Sequence, residues 1–201
     1  FVVATFMRFR DNEYSVTAKS SQLLNAPGDR TMFIIAMMSF HIAIIIIILG
    51  HLGGFLTPRE MFLWAGITDE MHAEIAHLIG GTAAVVCFLA MLYLIKRRFF
   101  NKRISATSSF GDKAVLLVIF VQLILGFITI FYKSAVQPAE KVVLLGHYFQ
   151  GIVMLNFSAY EFVLDMPIIT LLHIFLGWTI ILLIPFTRLI HVVHNYIRVH
   201  A

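Results

Sequence analysis

The sequence predicts an all-α integral membrane protein, a bundle of five transmembrane helices, and three observations predict it. Apolar residues make up 60% of the 201-residue chain and charged residues only 13%, against about 45–50% and about 25% in soluble domains. That balance excludes an ordinary water-soluble globule and, more firmly, a disordered chain, which needs low hydrophobicity and high charge. Apolar stretches of helix-spanning length recur along the chain, each long enough for a hydrocarbon core of about 30 Å, which takes about 20 residues. Finally, the fifteen Lys and Arg are sorted between alternate loops, the signature of membrane topology.

Taken in order, residues 1–7, FVVATFM, stop at Arg8 and are too few to cross a bilayer. They read as the end of a first helix whose beginning precedes Phe1, and with them the count is five. Complete spans follow at 32–55, at about 70–95 with no charge from 75 onward, and at 114–132. The last span is placed at 167–193, apolar until Arg188. Asp165 and Pro167 suit its cap and first turn, and Pro185 predicts a kink within it. Between the last two spans, residues 140–154 carry His147 and Gln150 in a stretch of length and polarity suited to an interfacial helix that lids the outer face. The whole chain, 1–201, is read as a single membrane domain.

Twelve of the basic residues fall in the loops 8–31 and 96–113 and at the C-terminal end, against three, Arg59, Lys133 and Lys141, on the other side. The positive-inside rule puts the richer side, with the C-terminus, in the cytoplasm and the protein in the inner (cytoplasmic) membrane as a multi-pass chain. This sorting, rather than a nucleic-acid surface, accounts for the net charge of +4; no nucleic acid is expected as a partner. The one cysteine, Cys87, lies inside an apolar run. A disulfide framework, a four-cysteine iron–sulfur cluster and a c-type haem are therefore excluded within this chain, and Cys87 reads as a small core residue.

Four histidines lie in or at the ends of spans: His41 and His51 on one helix, His173 and His191 on the last. Ionisable residues at membrane depth are costly and are functional by default. A single such His is ordinarily satisfied by a neighbouring carbonyl or hydroxyl. Two pairs matched in depth, with no carboxylate in 32–55, 75–95, 114–132 or 167–193, point instead to a shared task. The two helices run in opposite directions, so His51 pairs with His173 near the outer face and His41 with His191 near the inner face. Two bis-histidine b-type haems, one per pair, satisfy that arrangement. The fit is imperfect: His173 and His191 are about 27 Å apart on one helical face, His41 and His51 only about 15 Å and about 80° apart. Tilt, side-chain reach and the expected kink at Pro185 must absorb the difference. Gly50, Gly53 and Gly54 around His51, and Gly177 one turn after His173, leave room for a flat ring, although small residues also serve plain helix packing.

These residues also carry a family resemblance. HIAIIIIILGHLGGFLTP, GG followed by KRRFF and ISATSS, and LLHIFLGWTIILLIPFTRLIH resemble the di-haem cytochrome b (gamma) subunit of membrane-bound respiratory nitrate reductase, from about 20 to 191. Cytochrome b subunits of sulfite-reduction and heterodisulfide-reductase-like complexes share the histidines. The resemblance implies a subunit that oxidises menaquinol or ubiquinol near the outer face and serves a cytoplasmic iron–sulfur (beta-like) subunit and a catalytic subunit. It implies His51 and His173 as outer and His41 and His191 as inner haem ligands, with Arg98 and Arg188 beside the inner haem, where a guanidinium suits a propionate. In one place the chain departs from the pattern. Where nitrate reductase members carry a quinol-site lysine, counting back from Gly80 and Gly81 puts His72, which can bond a quinol oxygen and take its proton. His72, with Gly50 beside His51, is the quinol-site candidate; Glu70 and Glu74 belong to a solvated helix start. A proton-coupled transporter using intramembrane His is the reading from another class, and a purely structural anchor a third. The terminal reductase site is not in this chain.

Overall fold

The computed structural model describes residues 29–136, 140–184 and 187, and these are all-helical. Seven α-helices follow in order: α1 Asp29–Leu56, α2 Arg59–Trp64, α3 Asp69–Phe100, α4 Lys102–Thr107, α5 Phe110–Val136, α6 Glu140–Val153 and α7 Ile168–Leu183, with a short 3-10 helix, Ala159–Val163, before α7. Stretches within α1, α3 and α5 are long and apolar enough to cross a membrane. The described part of α7 has 16 residues. The expected partial span at 1–7, the inner end of the last span with Arg188 and His191, and the expected kink at Pro185 lie outside the described residues.

Local chemistry sets the element boundaries. Thr68 caps α3 by accepting from the Met71 amide, and Asp69 and Glu70 occupy the first turn, where carboxylates suit the positive end of the helix. At the other end of α3, Asn101 closes the helix and opens α4, accepting from the Arg103 and Ile104 amides. Ser109 and Asp112 form a reciprocal capping box at the start of α5, at 3.1 and 3.2 Å. The short helices α2 and α4 were not foreseen; each is a six-residue turn inside a connection. The start of α7 differs from expectation as well. Pro167 stands in the cap position, one residue before the helix, and Asp165 does not cap it. The Asp165 carbonyl instead accepts from Lys141 Nζ of α6 at 3.0 Å, which ties the connection between α5 and α7 to itself.

The packing is that of a membrane bundle. α1 lies most extensively against α3, α3 against α5, and α5 against α7. The buried cluster at the α1, α3 and α5 crossing is made of small or slender side chains, Ala43, Ala84, Cys87, Met91 and Leu123. Without a hydrophobic force between helices in lipid, close approach through small residues is what holds them. The large aliphatic side chains point the other way: Ile35, Ile42, Ile45, Leu49, Leu78, Leu89 and Leu182 are exposed. Trp64, Phe100, Phe110 and Phe157, at helix ends and in the outer connection, are also exposed, as aromatic side chains are at a lipid–water boundary. Cys87 is fully buried, as its place in the apolar run suggested.

Candidate functional site

The site begins with two histidines on one helix. On α1, His41 Nδ1 lies 2.7 Å from the Met37 carbonyl and His51 Nδ1 lies 2.7 Å from the Ile47 carbonyl, one turn back in each case. A carbonyl only accepts, so each ring carries its proton on Nδ1 and offers the lone pair of Nε2. This is the tautomer, held by a backbone carbonyl, that ligating histidines use. Both residues are exposed on the protein surface, at a depth where an imidazole facing lipid alone is costly.

Across from His51 stands His173 of α7. Their ring centroids are 6.2 Å apart, with the planes tilted by 44°. A metal–imidazole bond is about 2.0–2.1 Å, so two rings on opposite sides of one metal have centroids roughly 6 Å apart. α1 and α7 do not pack extensively against each other; the approach is made by side chains. His173 is seated against α5. A Cβ on Gly126 would come within 3.0 Å of His173 Cε1, so the ring occupies the space a side chain would fill. Gln122, one turn earlier, donates from Nε2 to the His173 carbonyl at 3.0 Å and lies 3.5 Å from His173 Nε2. Among the described residues His173 Nδ1 and Gln122 Oε1 are both buried without a hydrogen-bond partner, a costly pair of vacant valences. Three or more His, Cys, Asp or Glu able to hold a bare metal ion do not occur together among the described residues. A facing pair of imidazoles would instead suit a metal that arrives within its own ring of ligands, as haem iron does.

α6 holds the His51 end of this arrangement. Gln150 donates to the Phe55 and Thr57 carbonyls at 3.0 and 3.1 Å, satisfying the last turn of α1. Phe149 stacks on Phe55 at 5.0 Å and lies 6.0 Å from Trp178 of α7, whose indole N–H donates to Tyr148. One helix therefore grips both histidine-bearing helices.

His72 opens on the same end. Its ring stacks on Phe62 at 4.3 Å and its Nε2 would sit 3.4 Å from a Cβ on Gly54. The structure thus brings His72 to Gly54, a turn beyond Gly50, whose own Cβ position is open. A crevice joins His72 to Gly54, Phe62, Gly146, His147 and Gln150. At its mouth, Arg59 reaches both carboxylate oxygens of Asp69, Nε at 2.9 and 3.0 Å and a terminal nitrogen at 2.6 Å. That fork of hydrogen bonds holds the Arg59 guanidinium above its ordinary pKa. His147, read from sequence as an interfacial residue, is one of the walls of this crevice. At the opposite end of α3, Arg98 lies 3.8 Å from Asp112, while its neighbour Arg97 is buried over the Phe33 ring at 3.9 Å. Sequence reasoning missed Gln122 and Gly126; the available signal was a lone amide in the otherwise apolar 114–132 run.

A family model described as nitrate reductase gamma subunit matches residues 1–198. The chain belongs to that family. It is 33% identical over 193 residues to the respiratory nitrate reductase 1 gamma chain of Escherichia coli (strain K12), covering 96% of this chain and 83% of that one. It is 28% identical to the nitrate reductase gamma chain of Bacillus subtilis (strain 168), over 96% of this chain and 84% of that one. Membership in the nitrate reductase gamma family, together with the apolar helices, makes this chain a multi-pass membrane subunit with a redox role in an oxidoreductase complex.

Proposed function

We propose that the chain is the quinol-oxidising cytochrome b subunit and membrane anchor of a respiratory reductase of the nitrate reductase type. The observation that carries this reading is the facing pair of imidazoles, 6.2 Å apart, on helices that barely touch, with His51 already set in the ligating tautomer. The buried, partnerless Nδ1 of His173 and the ring seat left by Gly126 fit the same group. His51 and His173 would hold an outer b-type haem, and His41 with His191 an inner one, with Arg98 and Arg188 near its propionates. Bound haem supplies reversible one-electron chemistry at iron.

The chain's own residues do the rest. Gly54 and Phe62 position the His72 ring at the outer end of α3, where an imidazole accepts a hydrogen bond from a quinol hydroxyl and takes its proton on oxidation. Gly50, open beside His51, leaves room for the quinol ring. α6 joins the end of α1 to α7 over this site, while His147 and the Arg59–Asp69 pair line the crevice. The five-span count, a menaquinol or ubiquinol substrate, an outward-facing quinol site, a cytoplasmic C-terminus in the inner membrane and partners on the cytoplasmic side, an iron–sulfur subunit and a catalytic subunit, belong to the same proposal, as does the reading of 1–201 as one membrane domain.

The reduced-minus-oxidised absorption spectrum of the purified complex tests it. The expected result is a b-type signal of about two haems per gamma chain, halved by His51→Ala or His173→Ala. A folded, colourless gamma chain would overturn the proposal and favour a proton-relaying role for the histidines.

A further inference from the structure

His173 and Gln122 are neighbours with complementary vacancies. The Gln122 amide nitrogen is committed to the His173 carbonyl at 3.0 Å, and among the described residues its oxygen is buried with no donor and His173 Nδ1 is buried with no partner. The two side chains already meet, at 3.5 Å between Gln122 Nε2 and His173 Nε2, the outer limit of a hydrogen bond. Both are fitted into backbone gaps: a Cβ on Gly126 would press on His173 at 3.0 Å and one on Gly177 would press on Gln122 Nε2 at 3.2 Å. His41 and His51 take their second-nitrogen partner from their own helix, one turn back. His173 has no such backbone bond and relies on another helix.

We infer that Gln122 is the positioning residue of the His173 ligand, its Oε1 accepting the Nδ1–H that ligation through Nε2 requires. This rests on the assignment of His51 and His173 as the outer haem ligands. When Nε2 binds a metal, the ring proton must reside on Nδ1, and Gln122, whose amide reaches this ring and whose buried Oε1 has no donor among the described residues, is the side chain able to accept it. The hydrogen bond draws the Nδ1–H proton away from the ring, makes the imidazole a stronger electron donor and favours the oxidised iron. Gln122 thus sets both the ring orientation and the reduction potential of the outer haem, and Gly177 serves the amide rather than the haem.

The test is a redox titration of each haem in the intact complex, with haem content measured on the same samples. Gln122→Leu is expected to retain both haems and to raise the outer midpoint, changing its oxidised-to-reduced ratio at fixed potential about tenfold, equivalent to 59 mV for one electron. Gln122→Glu, a stronger acceptor, is expected to lower it, and the inner haem is expected to stay in place in both. If Gln122→Leu loses the outer haem, the Glu variant decides through the direction of its shift. Full outer haem content with a midpoint unmoved in both variants, or moved the same way in both, overturns the inference while leaving the ligand assignment intact. Retention of both haems in His173→Ala overturns the ligand assignment and the inference with it.

Discussion

At the scale of single residues, imidazoles have two different tasks in the proposed function, and their surroundings separate them. His41 and His51 have their Nδ1 locked to α1 carbonyls, the tautomer that the proposed ligation through Nε2 needs. His72 is instead stacked on Phe62 and pressed toward Gly54 at the rim of a crevice, a setting for binding and proton transfer. Replacing His72 by Ala is therefore expected to lower quinol oxidation by about 10²-fold or more, the usual contribution of a positioned acid–base group, while the absorption spectrum keeps both haems. Stopped-flow quinol oxidation and a difference spectrum on one preparation check both halves. An unchanged rate would remove His72 from the quinol site.

At the scale of elements, α6 and α5 decide whether two distant helices present their histidines to each other. Gln150 joins α6 to the end of α1, and Phe149 and Tyr148 join it to Trp178 of α7. Gln150→Leu deprives two carbonyls of a donor, a loss of about 1 kcal/mol for each hydrogen bond, and is expected to lower the thermal midpoint of the outer haem's absorbance before that of the inner. On α5, Gly126 is the seat of His173. Gly126→Ala places a methyl 3.0 Å from the ring, an overpacking worth about 1–3 kcal/mol, and is expected to reduce outer haem content, read from the pyridine haemochrome. Full content in that variant would show the ring has another place to go. These two elements show where sequence reading stopped. Residues 140–154 were recognisable as a separate short helix from their length and mixed polarity, but the Gln150 contacts with Phe55 and Thr57 join residues 95 and 93 positions apart and leave no periodic trace. Gly177 was noticed because it follows His173 in sequence, whereas the glycine that touches the ring, Gly126, belongs to another helix.

At the scale of the whole molecule, the bundle is turned inside out relative to a soluble protein, with alanines and Cys87 in the middle and isoleucines and leucines outside. Cys87 is fully buried, so the unaltered protein is expected not to react with a membrane-impermeant thiol reagent. That silence makes orientation measurable. Phe157→Cys, at a residue 93% exposed in the outer connection, is expected to label in intact cells, and Phe110→Cys, 87% exposed at the start of α5, only after permeabilisation. The reverse pattern would invert the proposed topology. What the sequence by itself determined was everything carried by local or one-dimensional signals. Apolar length placed the helices within a few residues, and the rarity of polar groups at membrane depth singled out the histidines. Helix direction had already paired His51 with His173; tertiary structure alone decided the other meetings: His72 on Gly54, Gln122 and Gly126 against His173, and α6 across both helices. In lipid no hydrophobic force selects helix neighbours, so their arrangement follows from shape, small-residue contacts and a few buried hydrogen bonds, and those exist only once the chain is folded.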